Sequence, residues 1–208
     1  LLSSQPLCFN LFGELQQDLA LATAVMRTLA PDRVARVTRI GFEYSPGRGD
    51  PRYTGDKSAF DVFVAFETPS GGEGFAGIEV KYTETLGQAP SRHRRRYDEV
   101  AASMGCFRAE RLDELRSQPL HQIWRDHLLA GSLLREGDYE DGFFVFLYPE
   151  RNGHCHDAQA AYRDCLQEEE TFVVWTLEDV SGAIKEHTEA EWIDGFVDRY
   201  LGFERLRE

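Results

Sequence analysis

Two short apolar runs carry charge where a plain core strand would not need it. In AFDVFVAFE (59–67), Asp61 interrupts a series of hydrophobic residues, and in FAGIEVKY (75–82), Glu79 and Lys81 stand two apart around Val80. Side chains alternate across a strand, so Phe60, Val62 and Val64 are expected on one face with Asp61 on the other. By the same rule Glu79 and Lys81 share a face, and Ile78 and Val80 point into the core. If the two runs are neighbouring strands, the two carboxylates meet. Two carboxylates with a backbone carbonyl make a hard oxygen site suited to Mg²⁺, with ligand distances of about 2.0–2.1 Å; Mn²⁺ takes similar ligands. A lysine beside them can orient or help deprotonate an attacking water, or offset charge on a phosphate. That is the minimum equipment for metal-assisted phosphodiester hydrolysis. The triplet alone is weakly specific, because chance supplies about half an acid-x-Lys triplet in a chain with 36 acidic residues and three lysines. The competing reading is a cross-strand ion pair on a solvated sheet face, worth about 0.2–1 kcal/mol.

The elements that must position these residues can be read from periodicity. Asn10 can cap a helix with apolar residues at three- and four-residue steps from Leu11 to Leu29, ended by Pro31. Val34–Tyr44 reads as a strand, and SPGRGDPRYTGDKS (45–58) as a long loop of the kind that often carries function. The two charged runs form a hairpin around TPSGGEG. Helices are expected at about Ser91–Met104 and Leu120–Arg135, strands at Phe143–Tyr148 and Thr171–Thr176, a helix at His156–Leu166 between them, and two acidic helices at the end. An antiparallel meander followed by strands with helical crossovers implies an α/β fold with a mixed central sheet flanked by helices. No linker divides the chain, so one domain over 1–208 is expected, with a core at about 3–176 and an acidic helical extension at about 177–208.

With Asp61, Glu79 and Lys81 in this setting, SAFDVFVAF (58–66), the hairpin and GIEVKY (77–82) resemble the PD-(D/E)xK nuclease superfamily. SSQPLCFNLFGEL (3–15) and FEYSPGR (42–48) resemble a bacterial branch of predicted restriction endonucleases. The resemblance covers about residues 3–148 and implies a restriction-endonuclease-like αβββαβ core. It also implies Asp61 and Glu79 as metal-binding acids, Lys81 as the catalytic lysine and Mg²⁺ as cofactor. The proline that often precedes the first Asp is replaced by Ala59-Phe60.

Members of the superfamily often add an acid upstream of the first Asp. Glu43, between Phe42 and Tyr44, is the candidate, with Glu14 on the first helix as its rival. Several exonuclease-like branches carry Gln-x-x-x-Tyr on the helix after the lysine strand; here the stretch is His93-Arg94-Arg95-Arg96-Tyr97. Residues 93 and 97 share a face if both are helical. Arg92, Arg95 and Arg96 are candidates for phosphate contacts and Tyr97 for stacking or a hydrogen bond. Gln122 and Arg125 are candidates to face the cleft, with Ile123 and Trp124 in the core.

The formal net charge is −13, with 23 Lys+Arg against 36 Asp+Glu. The charge is uneven: residues 164–208 hold 13 acidic and four basic residues, leaving 23 acidic and 19 basic in the first 163. A polyanion can therefore be held only where the arginines at 92–96 concentrate positive charge, with the acidic helices packed elsewhere. No apolar run approaches the roughly 20 residues needed to span a bilayer, and four cysteines do not make a disulfide scaffold. A reducing, cytoplasmic setting is expected. The chain opens on Leu1 rather than Met, so a segment upstream is expected to lie beyond it. His154-Cys155-His156 lacks the paired spacing of a zinc site, and the glycine-rich loop lacks the P-loop order. The expected function is a Mg²⁺-dependent nuclease acting on DNA in prokaryotic defence or DNA processing, with a homodimer as the arrangement that would cut both strands. The alternative is a catalytically silent nuclease-fold domain that binds nucleic acid or protein.

Overall fold

A computed structural model describes residues 3–87 and 92–202. The N-terminal helical stretch is two helices rather than one, α1 (Ser4–Gln17) and α2 (Leu19–Leu29). Asp18 separates them because its carboxylate accepts the backbone N–H groups of Ala20 and Leu21, satisfying donors that open a new helix. Asn10 is therefore inside α1, where its side-chain amide donates to the Tyr200 hydroxyl at 2.7 Å.

Five strands follow the expected order with ends shifted by one or two residues: β1 (Arg36–Tyr44), β2 (Phe60–Glu67), β3 (Glu73–Val80), β4 (Asp141–Tyr148) and β5 (Phe172–Thr176). They lie in sequence order in one mixed sheet, β1, β2 and β3 antiparallel and β3, β4 and β5 parallel. Between β3 and β4 run α3 (Arg95–Met104), α4 (Leu112–Leu115) and α5 (His121–Glu136). A short 3₁₀ turn at Ala109–Arg111 and the single turn of α4 carry no periodicity long enough to be read from sequence. The helix α6 (Gly153–Asp164) joins β4 to β5, and α7 (Leu177–His187) and α8 (Glu191–Tyr200) close the fold. Ser91, at the expected start of α3, lies outside the described residues. None of the eight helices among the described residues is long and apolar enough to cross a membrane.

The sheet separates two cores. On one face Val62, Val64, Phe66, Ile78, Val80, Val145 and Leu147 pack with buried residues of α1, α2, α7 and α8. On the other, Phe60, Phe63, Phe75, Phe144 and Phe146 pack with α3, α5 and α6. Apart from Asp141, β4 is buried along its whole length, as a parallel strand covered on both faces must be. The acidic helices α7 and α8 therefore cover the face opposite α3 and α5.

Candidate active site

Strict alternation fails at one place, and the failure makes the site. The β2–β3 ladder runs from Glu67↔Glu73 to Val62↔Ile78. Beyond that pair Asp61 turns its carboxylate to β3 and accepts the Val80 N–H at 2.8 Å. Phe60 does not share a face with Val62 and Val64, as the sequence led one to expect; it lies in the other core beside Phe63. The same reversal occurs in the facing strand, where Phe42 packs on one core and Tyr44 on the other. The residue between them, Glu43, has φ 48°, in the left-handed region that a residue with a side chain seldom enters. Phe42 pairs with Val62 and Tyr44 with Phe60, so the two reversals face each other across the sheet. A Cβ on Gly77 would lie 2.5 Å from the Phe60 ring, so a glycine there lets Phe60 cross to that face.

Glu79 and Lys81 project toward α5 and are almost sealed from solvent, at 5% and 8% exposure. The Lys81 ammonium lies 2.6 Å from Glu79 Oε1. The side-chain amide of Gln122 donates to the same oxygen at 2.5 Å. The Lys81 backbone N–H extends the pairing with β4 by donating to Leu147 O at 2.8 Å. Burial, and next the charge of Glu79, push the Asp61 carboxyl up to about 8; the Val80 N–H and Lys81 oppose the rise, and Glu43 adds to it. Burial alone would lower the Lys81 ammonium, but contact with Glu79, reinforced by Asp126 and Asp61, raises it. Cys8 of α1 belongs to the same neighbourhood: its thiol is raised by burial and then by the charges of Asp61, Glu79 and Glu43.

The structure thus gathers Asp61, Glu79, Lys81 and Gln122, with the exposed Glu43 inside the same electrostatic field. Glu14 lies on the exposed side of α1. A crowded acid pair that raises the pKa of Asp61 has the donor chemistry a divalent cation would satisfy, since positive charge relieves the repulsion. Among the described residues no three His, Cys, Asp or Glu side chains converge as a ligand set. A cation held by Asp61 and Glu79 would draw its other ligands from carbonyl groups, water or phosphate, which is how Mg²⁺ is commonly bound.

The arginine run has a different place from the one expected. Arg94 donates to Gly55 O at 2.8 Å. Arg96 donates through Nε to Tyr53 O at 2.8 Å and through Nη2 to Arg52 O. Both therefore fasten the 45–58 loop to the start of α3. Arg95 is exposed, with Glu99 at 3.1 Å. His93 precedes α3 rather than sharing a helical face with Tyr97, although the two rings meet edge-on with centroids 5.8 Å apart. The Tyr97 ring is buried and cannot serve as a stacking platform for a base; its hydroxyl donates to Asp56 at 2.5 Å. Asp56 is the hub of the loop and accepts from Thr54, Ser58 and Tyr97, with the Arg125 guanidinium 3.3 Å away. Burial works against its ionisation, but these hydrogen bonds and Arg125 bring the carboxyl down to about 2. Ile123 and Trp124 are fully buried, as the helical pattern implied.

Sequence reading passed over Asp126. It is 4% exposed on α5, one turn after Gln122, and its Oδ2 has no hydrogen-bond partner among the described residues. Burial and then the charge of Glu79 hold its carboxyl well above the usual range. The available signal was an acid between Ile123 and Trp124 on one side and Leu128 and Leu129 on the other in a helix that is buried over most of its length. The His154-Cys155-His156 cluster opens α6, with Cys155 buried.

A family model described as the PD-(D/E)XK nuclease superfamily matches residues 1–202. No curated protein and no solved structure matches the chain.

Proposed function

The chain belongs to the PD-(D/E)XK nuclease superfamily, and from that premise we propose that it is a Mg²⁺-dependent nuclease of DNA in prokaryotic defence or DNA processing. The observation that carries the proposal is that Asp61 of β2 takes the Val80 N–H, between Glu79 at the end of β3 and Lys81 just beyond it, where Lys81 meets Glu79. Asp61 and Glu79 are the residues that would hold Mg²⁺, or Mn²⁺ in its place, with Glu43 as a further acid at the open side. When bound, the cation supplies Lewis-acid polarisation of the scissile phosphate and a bound water of lowered pKa. Lys81, 2.6 Å from Glu79, is the group that would orient the attacking water or help deprotonate it, or offset charge on the phosphate. Gln122 fixes the Glu79 carboxylate from α5. Arg92 and Arg95 are the candidate phosphate contacts that the fold leaves exposed, whereas Arg96 and Tyr97 act by holding the loop. The four cysteines are free and buried, in keeping with a reducing cytoplasmic setting. A homodimer would bring two such sites to the two strands of a duplex.

A supercoiled-plasmid assay tests the proposal. Nicking or linearisation is expected with Mg²⁺ or Mn²⁺, and none with a chelator. Absence of cleavage of every DNA and RNA offered, with either ion, would leave the nuclease-fold binding module as the better reading.

A further inference from the structure

Resting on the nuclease reading, we propose that Asp126 is a positioning residue for Lys81, accepting its ammonium when Glu79 turns to the cation. Two donors, Lys81 Nζ and Gln122 Nε2, already occupy Oε1 of Glu79. If Glu79 offers its carboxylate to a divalent cation, Lys81 loses part of its acceptor and gains a like charge beside it. At 8% exposure it cannot turn to bulk water, and a buried ammonium without an acceptor is costly. Asp61 is committed to the same cation. Asp126 remains. It follows Gln122 by four residues, so it lies one turn on along the same side of α5 that reaches Glu79. Its Oδ2 is buried with no hydrogen-bond partner among the described residues, a state that proteins seldom leave without a use. The charges of Asp126 and Lys81 already act on each other, which places the two groups in one neighbourhood.

The test is Mn²⁺ binding by the full chain without nucleic acid, followed by titration calorimetry. The proteins are the parent, Asp126→Leu, Asp126→Asn, Lys81→Met and the Lys81→Met/Asp126→Leu double variant. Leucine removes the acceptor at similar volume, and asparagine retains a carbonyl oxygen. Asp126→Leu is expected to weaken Mn²⁺ binding about tenfold, near the worth of one hydrogen bond to a charged group, and Asp126→Asn less. Its melting temperature should not fall, because an unpartnered buried acid has been replaced by an apolar side chain. In the Lys81→Met background the same change should alter affinity less than about twofold, since there is no ammonium to receive. Equal weakening in both backgrounds, or no weakening in either, would overturn the inference and leave the nuclease reading standing. If Asp126→Leu does not fold, the asparagine variant is read in the same two backgrounds with an expected loss of about threefold. No Mn²⁺ binding by the parent would remove the proposed metal site and this inference together.

Discussion

Gln122 of α5 donates to Glu79 of β3 at 2.5 Å across 43 residues of sequence. The bond ties a helix on one face of the sheet to the acid strand, so the orientation of the Glu79 carboxylate depends on how α5 packs. The packing is rigid: Ile123, Trp124, Leu128 and Leu129 are all buried along α5. The acid is thus held by a helix rather than by a loop, which favours a fixed geometry at the site.

The assigned roles of Asp61 and Lys81 separate by mutation. Asp61→Ala is expected to lose both Mn²⁺ binding and cleavage. Lys81→Ala should lose cleavage by at least about a hundredfold, the scale of one electrostatic group at a transition state, while still binding Mn²⁺. Lys81→Arg should rescue little, because the planar guanidinium needs more room than a site at 8% exposure provides. Unchanged cleavage by Lys81→Ala in the plasmid assay would reduce the Glu79–Lys81 contact to a structural ion pair.

Gly77→Ala tests the strand reversal. The added methyl would sit 2.5 Å from the Phe60 ring, which cannot swing clear because Phe63 and Phe75 pack around it. Overpacking of this kind costs about 1–3 kcal/mol, read as a lower denaturant midpoint. Phe60 adjoins Asp61, so cleavage should fall beyond what the loss of folded protein explains. Phe60→Leu in the Gly77→Ala background should recover part of the stability.

The sheet and most of its flanking helices were legible in the sequence because each follows one period for several residues, as Val62–Val64–Phe66 and Leu11–Leu15 do. The acid pair was legible because Asp61 and Glu79 interrupt apolar strands. What escaped reading depends on contacts between distant segments. Alternation put Phe60 beside Val62, but the paired reversal at Glu43 and Asp61 sends Phe60 to the other face. Asp18 broke a helix whose apolar steps run through it unaltered. The arginines at 94 and 96 looked free because their acceptors are loop carbonyl groups about 40 residues earlier, which no side-chain pattern announces. Asp126 carries no motif at all and acquires meaning only once α5 is laid against β3.

His127 makes one contribution to stability that acid removes. The ring is fully buried between the Tyr162 hydroxyl at 2.9 Å and the Thr171 hydroxyl at 2.8 Å, and burial lowers its pKa to about 3. The folded state therefore holds it neutral while the unfolded chain takes up a proton below about 6.5. Its contribution is present above that pH and is lost as pH falls, amounting to about 2 kcal/mol by pH 5. Over the same range Asp61 and Asp126, whose carboxyls are raised in the fold, take up protons only in the folded state and act in the opposite sense, so the His127 contribution is read as a difference between two proteins. His127→Gln should be less stable than the parent at pH 7 by urea unfolding, and that deficit should shrink by about 2 kcal/mol toward pH 5; a deficit that stays constant would contradict the assignment.

Two neighbouring arginines should behave oppositely, which separates loop anchoring from nucleic-acid contact. Arg96 holds the carbonyl groups of Arg52 and Tyr53; Arg135 also donates to Arg52 O, so Arg96→Ala leaves the Tyr53 carbonyl of the 45–58 loop without its donor. The expected loss is about 1–3 kcal/mol, with faster proteolysis of the loop. Arg95 is exposed beside Glu99, a surface pair worth little to folding. Arg95→Ala should leave the melting temperature within about a degree while weakening binding to duplex DNA. If it touches a phosphate, the slope of log affinity against log salt should become shallower by about 0.9. DNA binding by Asp61→Ala protein without divalent cation, measured at several salt concentrations with and without the Arg95 change, decides the matter. An unaltered salt slope would take Arg95 out of the interface and move the search for the DNA-binding surface away from α3.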